Sequence, residues 1–164
     1  MRVLGVDPGI SNLGLAAVEG DAKKARLLFS RVLTTHPQEP ASLRVGRLFE
    51  GVQAAIREAR PEALALEAQY FYRQNERAFQ VGWGFGAVLA AAHLASLPVY
   101  AYGPMQIKKA LVGQGRADKA QVAFMVRALL GLSAPLTPSH AADAAAVALA
   151  HLAQPDAVRE DFRL

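Results

Sequence analysis

An α/β fold is what this chain of 164 residues predicts: a five-stranded mixed sheet, an antiparallel meander of three strands plus two parallel strands, flanked by helices on both faces. Three observations carry it. Three short apolar segments open the chain with only turn residues between them, the pattern of a meander. Two later apolar runs, 63–66 and 99–102, each follow a long helical stretch, and a helical crossover returns a strand parallel to its predecessor. Beyond residue 104 the periodicity is helical, which supplies cover for the second face.

Residues 2–7 read as a buried strand stopped by the turn Asp7-Pro8-Gly9. Residues 13–18 return antiparallel as far as Glu19-Gly20-Asp21, and 26–33 continue the meander. From 42 to 60, Val45, Leu48, Phe49, Val52, Ala55 and Ile56 recur at three- and four-residue spacing. With Arg44, Arg47, Glu50 and Arg57 on the rest of the wheel, this is an amphipathic helix closed by Pro61. A strand at 63–66, a mostly apolar helix at 75–97, a strand at 99–102, and helices at 105–112, 118–130 and 138–152 complete the order. No repeat or linker divides the chain, so 1–154 is expected to form one domain and 155–164 a short, flexible C-terminal tail.

The formal net charge of +4 leans toward a polyanionic partner. The absence of cysteine excludes disulfides and thiolate metal sites, and fits a reducing compartment. Between Arg77 and Lys108 there is no Asp, Glu, Lys or Arg, a span long enough for a membrane helix. Gly82, Gly84, Gly86, Pro98 and Gly103 interrupt it and its second half has strand character, so a buried helix followed by a strand is the better account. The N-terminus lacks the layout of a signal peptide, and a cytoplasmic protein is expected.

Asp7 and Glu67 each end an apolar strand segment. A charged group there costs several kcal/mol unless something compensates it, and a pair of magnesium or manganese ions, which prefer oxygen ligands, would compensate two acids. Ligands of open α/β sheets gather beyond the carboxyl ends of strands, so neighbouring strands ~4.8 Å apart would let both acids share the ions. Thr137-Pro138-Ser139-His140 reads as an N-cap, a proline at N1 and a helix start, which puts His140 and Asp143 on one face of an alanine-rich helix. Taken singly, Asp7 is accounted for by a turn, Glu67 by pairing with Arg73 or Arg77, His140 by a cap, and Asp143 by the helix dipole. Their joint occurrence is what points to a cation site.

Basic and aromatic residues flank these acids. Tyr70 could stack on an exposed base, a contact worth ~1–3 kcal/mol. Arg73, Arg77, Lys108, Lys109, Arg116 and Lys119 are candidate phosphate contacts, with a solvated face as the plain alternative. Gly82, Gly84 and Gly86 inside a helix cost about 1 kcal/mol each against alanine, which close approach of another helix would offset. On that ground Phe79, Gly82, Trp83, Gly86 and Leu89 read as a two-fold dimer interface, with a buried crossover helix in a monomer as the alternative.

Four stretches, Val6-Asp7-Pro8-Gly9-Ile10-Ser11-Asn12-Leu13-Gly14, Leu66-Glu67-Ala68-Gln69-Tyr70-Phe71, Tyr102-Gly103-Pro104-Met105-Gln106-Ile107-Lys108 and Ser139-His140-Ala141-Ala142-Asp143-Ala144, together resemble the successive motifs of the RuvC family of bacterial Holliday-junction resolvases. The resemblance implies a ribonuclease H-like fold, a homodimer, and symmetric Mg2+- or Mn2+-dependent nicking of two opposed strands of four-way junction DNA, with two ions per active site. It places Asp7, Glu67 and Asp143 on three of the four acidic positions of that family. His140 stands on the fourth, where many relatives carry Asp. Imidazole suits first-row transition metals better than magnesium, which raises manganese as the alternative and leaves His140 either a ligand or an orienter of the attacking water. The resemblance also matches Tyr70 to a base-stacking aromatic and Lys108 and Lys119 to positions near the scissile strand, and it implies the RuvA-RuvB branch-migration complex as a partner.

Asp7-Pro8-Gly9-Ile10-Ser11-Asn12 also resembles the phosphate loop of actin and sugar-kinase phosphotransferases, a class that needs two such domains. A ribosomal-RNA-processing nuclease of the same fold would share the acids but fits Tyr70 and the basic 108–119 segment less well. A catalytically dead junction-binding module would be expected to have lost acids.

Overall fold

The computed structural model describes residues 1–68 and 76–164, with the side chains of 76–78 left out. The elements are β1 (Arg2–Asp7), β2 (Asn12–Gly20), β3 (Ala25–Thr34), α1 (Ala41–Ala59), β4 (Ala63–Glu67), α2 (Glu76–Leu94), β5 (Val99–Tyr102), α3 (Pro104–Val112), α4 (Lys119–Leu129), α5 (Ser139–Ala153), α6 (Asp156–Arg159) and a closing 3-10 turn (Glu160–Phe162). They form a five-stranded sheet in the order β3-β2-β1-β4-β5. β1, β2 and β3 pair antiparallel, and β4 and β5 add parallel, as the helical crossovers require.

Side chains alternate between the two faces of a strand, and here that alternation sorts the core into two layers. Leu4, Val6, Leu13, Leu15, Leu64 and Leu66 pack with α1 and α2. Val3, Ala16, Val18, Ala63, Ala65 and Tyr102 pack with α3, α4 and α5. Asp7 continues the parity of Val3 and Gly5, and Glu67 that of Ala63 and Ala65, so both acids fall on the α5 side. The register pairs Val6 with Leu66, which puts the ends of β1 and β4 side by side.

Two glycines let α5 lie on the sheet. A Cβ on Gly5 would stand 2.0 Å from the Ala144 carbonyl oxygen, and one on Gly14 would stand 2.0 Å from that of His140. Facing them, α5 presents the buried alanines Ala141, Ala144, Ala145 and Ala148. Backbone therefore packs almost on backbone at the height of Asp7, whose partner across the ladder is Gly14.

Three sequence expectations need correction. Arg44, placed by the wheel on the polar side of its helix, is 4% exposed; it reaches inward from the first turn of α1, as described below. Thr137 does not cap α5: the cap position is Pro138, no side chain caps the helix, and the helix begins one residue later than the proline-at-N1 reading has it. The segment 155–164, expected to be a flexible tail, folds back on the edge strand. Leu164 N donates to Val99 O at 2.9 Å, Arg159 Nε donates to His151 O at 3.0 Å, and the Phe162 ring lies 4.7 Å from that of Tyr102. An edge strand leaves donors and acceptors unpaired, and this segment pairs some of them.

Candidate active site

The site is assembled at the carboxyl end of β1. Asp7 is its last residue, only 7% exposed. His140 and Asp143 come from the first turns of α5, brought there by the glycine contacts above. Ligand atoms of Asp7, His140 and Asp143 all lie within 4.8 Å of one another. The 2.7 Å hydrogen bond between His140 Nδ1 and Asp7 Oδ2 fixes the imidazole. With Nδ1 engaged by Asp7, Nε2 is the ring nitrogen left for another partner.

Glu67, the last residue of β4, is not a member of this three-residue cluster. It lines a cleft of about 310 Å³ with Asp143, Lys108, Lys119, Pro104, Ile107, Val122 and Ala146. Asp143 thus belongs to both the cluster and the cleft, and it receives a 3.0 Å hydrogen bond from Lys119 Nζ.

The electrostatics are those of a site in which burial and clustered acids outweigh the two nearby lysines. Burial pushes the Glu67 carboxyl up to about 7, helped by the negative charges of Asp7 and Asp143 and opposed by Lys119 and Lys108. Burial also raises Asp7, although its hydrogen bond with His140 pulls the other way. Two carboxylates and one imidazole within coordination distance, with a third acid charge-coupled to them, suit a divalent cation. The cation would supply the charge that burial and mutual repulsion otherwise force these acids to take up as protons.

This makes the metal-free protein sensitive to pH in a defined direction. With its folded pKa of about 7 above the ordinary 4.5, Glu67 holds a proton that the unfolded chain has already released, so its contribution is full below 4.5 and is lost as pH rises through 7. In chelator, the melting temperature of the wild-type chain should therefore fall across this interval more steeply than that of Glu67→Gln. Parallel curves would refute the assignment.

The loop after Asp7 is held by residues that the sequence did not single out. Thr35 Oγ1 donates to Ile10 O at 2.6 Å, and Thr35 N donates to Ser11 O at 3.0 Å. Arg44 Nε donates to Thr35 Oγ1 and Nη2 to Ser11 Oγ, both at 2.9 Å. On the other side Gly84 of α2 packs against Gly9, with a built Cβ 3.2 Å from the Gly9 carbonyl carbon. A buried guanidinium satisfied by hydroxyls has no signature in helical periodicity, which is why Arg44 escaped notice.

The remaining sequence candidates divide clearly. Lys108 and Lys119 line the cleft, whereas Lys109 and Arg116 are exposed outside its lining. Tyr70 and Arg73 lie outside the described residues, as does the side chain of Arg77. On α2, Phe79 is 70% exposed, and a Cβ on Gly82 or Gly86 would meet nothing within 4 Å. Trp83 and Leu89 are half-buried and pack partly against the α1 and α2 side of the core.

The family described as "Crossover junction endodeoxyribonuclease RuvC" matches residues 3–151. A curated relative of that name from Thermus thermophilus is 58% identical over 154 residues, covering 92% of this chain and 93% of its own. The solved structure described as "T. thermophilus RuvC in complex with Holliday junction substrate" superimposes with a TM-score of 0.93 at 53% identity, over 100% of this chain and 99% of that one. The yeast mitochondrial Holliday junction resolvase matches at a TM-score of 0.67 and 14% identity over 93% of this chain and 79% of that one, a likeness of fold alone.

Proposed function

The chain belongs to the RuvC family of crossover junction endodeoxyribonucleases, and on that premise we propose that it resolves four-way DNA junctions as a homodimer, each copy nicking one of two opposed strands with the aid of divalent cations. It is a structure-selective endonuclease of recombination and repair with a ribonuclease H-like fold. The observation that carries the reading is the convergence of Asp7, His140 and Asp143 within 4.8 Å, beside a cleft that holds Glu67 and two lysines.

Asp7, on the central strand, would contribute to holding both ions, Glu67 would hold one, and Asp143 and His140 would hold the other. Such a pair, when bound, lowers the pKa of a water and stabilises the leaving oxygen in phosphodiester hydrolysis. The chain's own residues set the stage. His140, its Nδ1 engaged by Asp7, presents Nε2 to a ligand or a water, and its imidazole favours Mn2+ over Mg2+ relative to an all-carboxylate set. Lys108 and Lys119 offset phosphate charge in the cleft. Its apolar walls, Ile107, Val122 and Ala146, lower the local dielectric in which those charges act.

A two-fold junction calls for a two-fold enzyme, and the open face of α2 at Phe79, Gly82 and Gly86, with the half-buried Trp83 and Leu89 beside it, suits a second copy of the chain. The DNA contacts of this reading are Tyr70, Arg73, Arg77, Lys108, Lys109, Arg116 and Lys119. The family resemblance supplies RuvA-RuvB as the branch-migration partner. Chromosomal DNA as substrate assigns the protein to the cytoplasm. Among the described residues no helix is long and apolar enough to cross a membrane.

The test is cleavage of a four-way junction against linear duplex of the same sequence, run separately with Mg2+, Mn2+ and chelator. Paired nicks in the junction, dependent on a divalent ion and absent from duplex, are expected. Preferential cutting of structured RNA, or ATP turnover without DNA cleavage, would overturn the reading.

A further inference from the structure

We propose that Lys119 is a resident counter-charge of the acid cluster: its ammonium occupies Asp143 in the metal-free protein and is exchanged for a divalent cation when one binds. This rests on the proposed reading that Asp7, His140 and Asp143 hold such a cation. Lys119 Nζ donates to Asp143 Oδ2 at 3.0 Å, so one of the two oxygens that Asp143 could offer is already taken.

The local structure of α4 does not favour this position for a cation. Lys119 is the first residue of the helix, where the dipole repels positive charge. The cap comes from Asp118, whose side chain accepts from Gln121 N at 2.8 Å and does not hold the ammonium. Among the described residues its one ion-pair partner is Asp143, and its side chain is 70% exposed. What draws it inward is the Asp143 carboxylate, which it meets at 3.0 Å at the wall of the cleft that also holds Glu67.

Two consequences follow from competition for one carboxylate. The affinity of a cation that needs Asp143 is lowered by the displacement of Lys119. The displaced lysine, on a flexible stem at the wall of the cleft, is then free for an anion lying there, which in a nuclease is a backbone phosphate. Arrival of the cation and capture of the strand are thereby coupled through one side chain. Exposed ion pairs are weak, so the exchange shifts cation affinity by roughly two- to fivefold without blocking it.

Mn2+ titrated into the metal-free chain without DNA, followed by the paramagnetic resonance signal of the free ion, tests this directly. Lys119→Met should bind Mn2+ about two- to fivefold more tightly than wild type, and Lys119→Arg should bind as wild type does because it keeps the competing charge. In chelator Lys119→Met should melt below wild type, and saturating Mn2+ should close that gap. Equal Mn2+ affinity of wild type and Lys119→Met, or equal tightening in both variants, would overturn the inference while leaving the cation site standing. No Mn2+ binding to any of the three chains would overturn the cation site and this inference with it.

Discussion

Asp7→Asn should lose junction cleavage by at least ~10³-fold, the scale on which removal of one preorganised charged group acts on a phosphoryl or acyl transition state, while its fold and junction affinity survive. The structure separates the two effects. Asp7 is almost fully buried, and burial raises its pKa, so its negative charge is a cost to the metal-free fold. Asparagine keeps the size and leaves an amide oxygen to accept from His140 Nδ1–H, so the 2.7 Å contact has a neutral substitute. In chelator the variant should therefore melt no lower than wild type. Its stabilisation by added Mn2+ should shrink, because the ligand shared within the cluster has lost its charge. Single-turnover cleavage, junction binding in the absence of divalent ion, and melting with and without Mn2+ measure the three parts. Cleavage within tenfold of wild type would remove Asp7 from the reaction.

Gly14→Ala is expected to be the most damaging change that touches no chemical group. Its Cβ would stand 2.0 Å from the His140 carbonyl oxygen, so α5 must lift away from β2 by more than an ångström to restore ordinary contact. The obstacle is helix backbone, which cannot rotate out of the way as a side chain does. The cost should be about 3 kcal/mol, the upper range for overpacking a well-filled interior, read as a lower urea midpoint with an unchanged m-value. The lifted segment is the one that carries His140 and Asp143, so Mn2+ affinity should fall as well. Gly5→Ala meets Ala144 O at the same 2.0 Å, one turn further along the helix, and should match the loss of stability. Gly86→Ala is the control: nothing lies within 4 Å of its Cβ, and an alanine in a helix should be neutral or stabilising by up to about 1 kcal/mol in a single copy of the chain. A Gly14→Ala protein as stable as wild type would mean that the sheet and α5 are not locked together at this point.

The strands and helices were legible in the sequence because each element carries its own period. Alternating or continuous apolar runs marked β1, β2, β3, β4 and β5, and the spacing of Val45, Leu48, Phe49 and Val52 marked α1. The acids were legible for a related reason. Asp7 and Glu67 interrupt apolar runs at their carboxyl ends, and His140 and Asp143 are the polar residues at the head of an alanine-rich helix. Less was visible where a residue's role depends on a neighbour far along the chain. Arg44 looked like a surface residue because a helical wheel knows only one helix, whereas its partners Thr35 and Ser11 lie just after β3 and in the loop before β2. The C-terminal segment looked like a tail because its docking depends on the unpaired edge of β5 and the ring of Tyr102, which come together only after the sheet has formed.

The sequence by itself determined the α/β class, the strand parities, and the set of groups able to bind a cation, since periodicity and residue chemistry are local properties. Tertiary structure alone decided how those groups meet. It set the register of β1 against β4, made the backbone approach at Gly5 and Gly14 that brings His140 to Asp7, and placed Lys119 on Asp143. These contacts, from 24 positions apart for Lys119 and Asp143 to 133 for Asp7 and His140, depend on packing geometry and shared desolvation, and neither is written in any single stretch of chain.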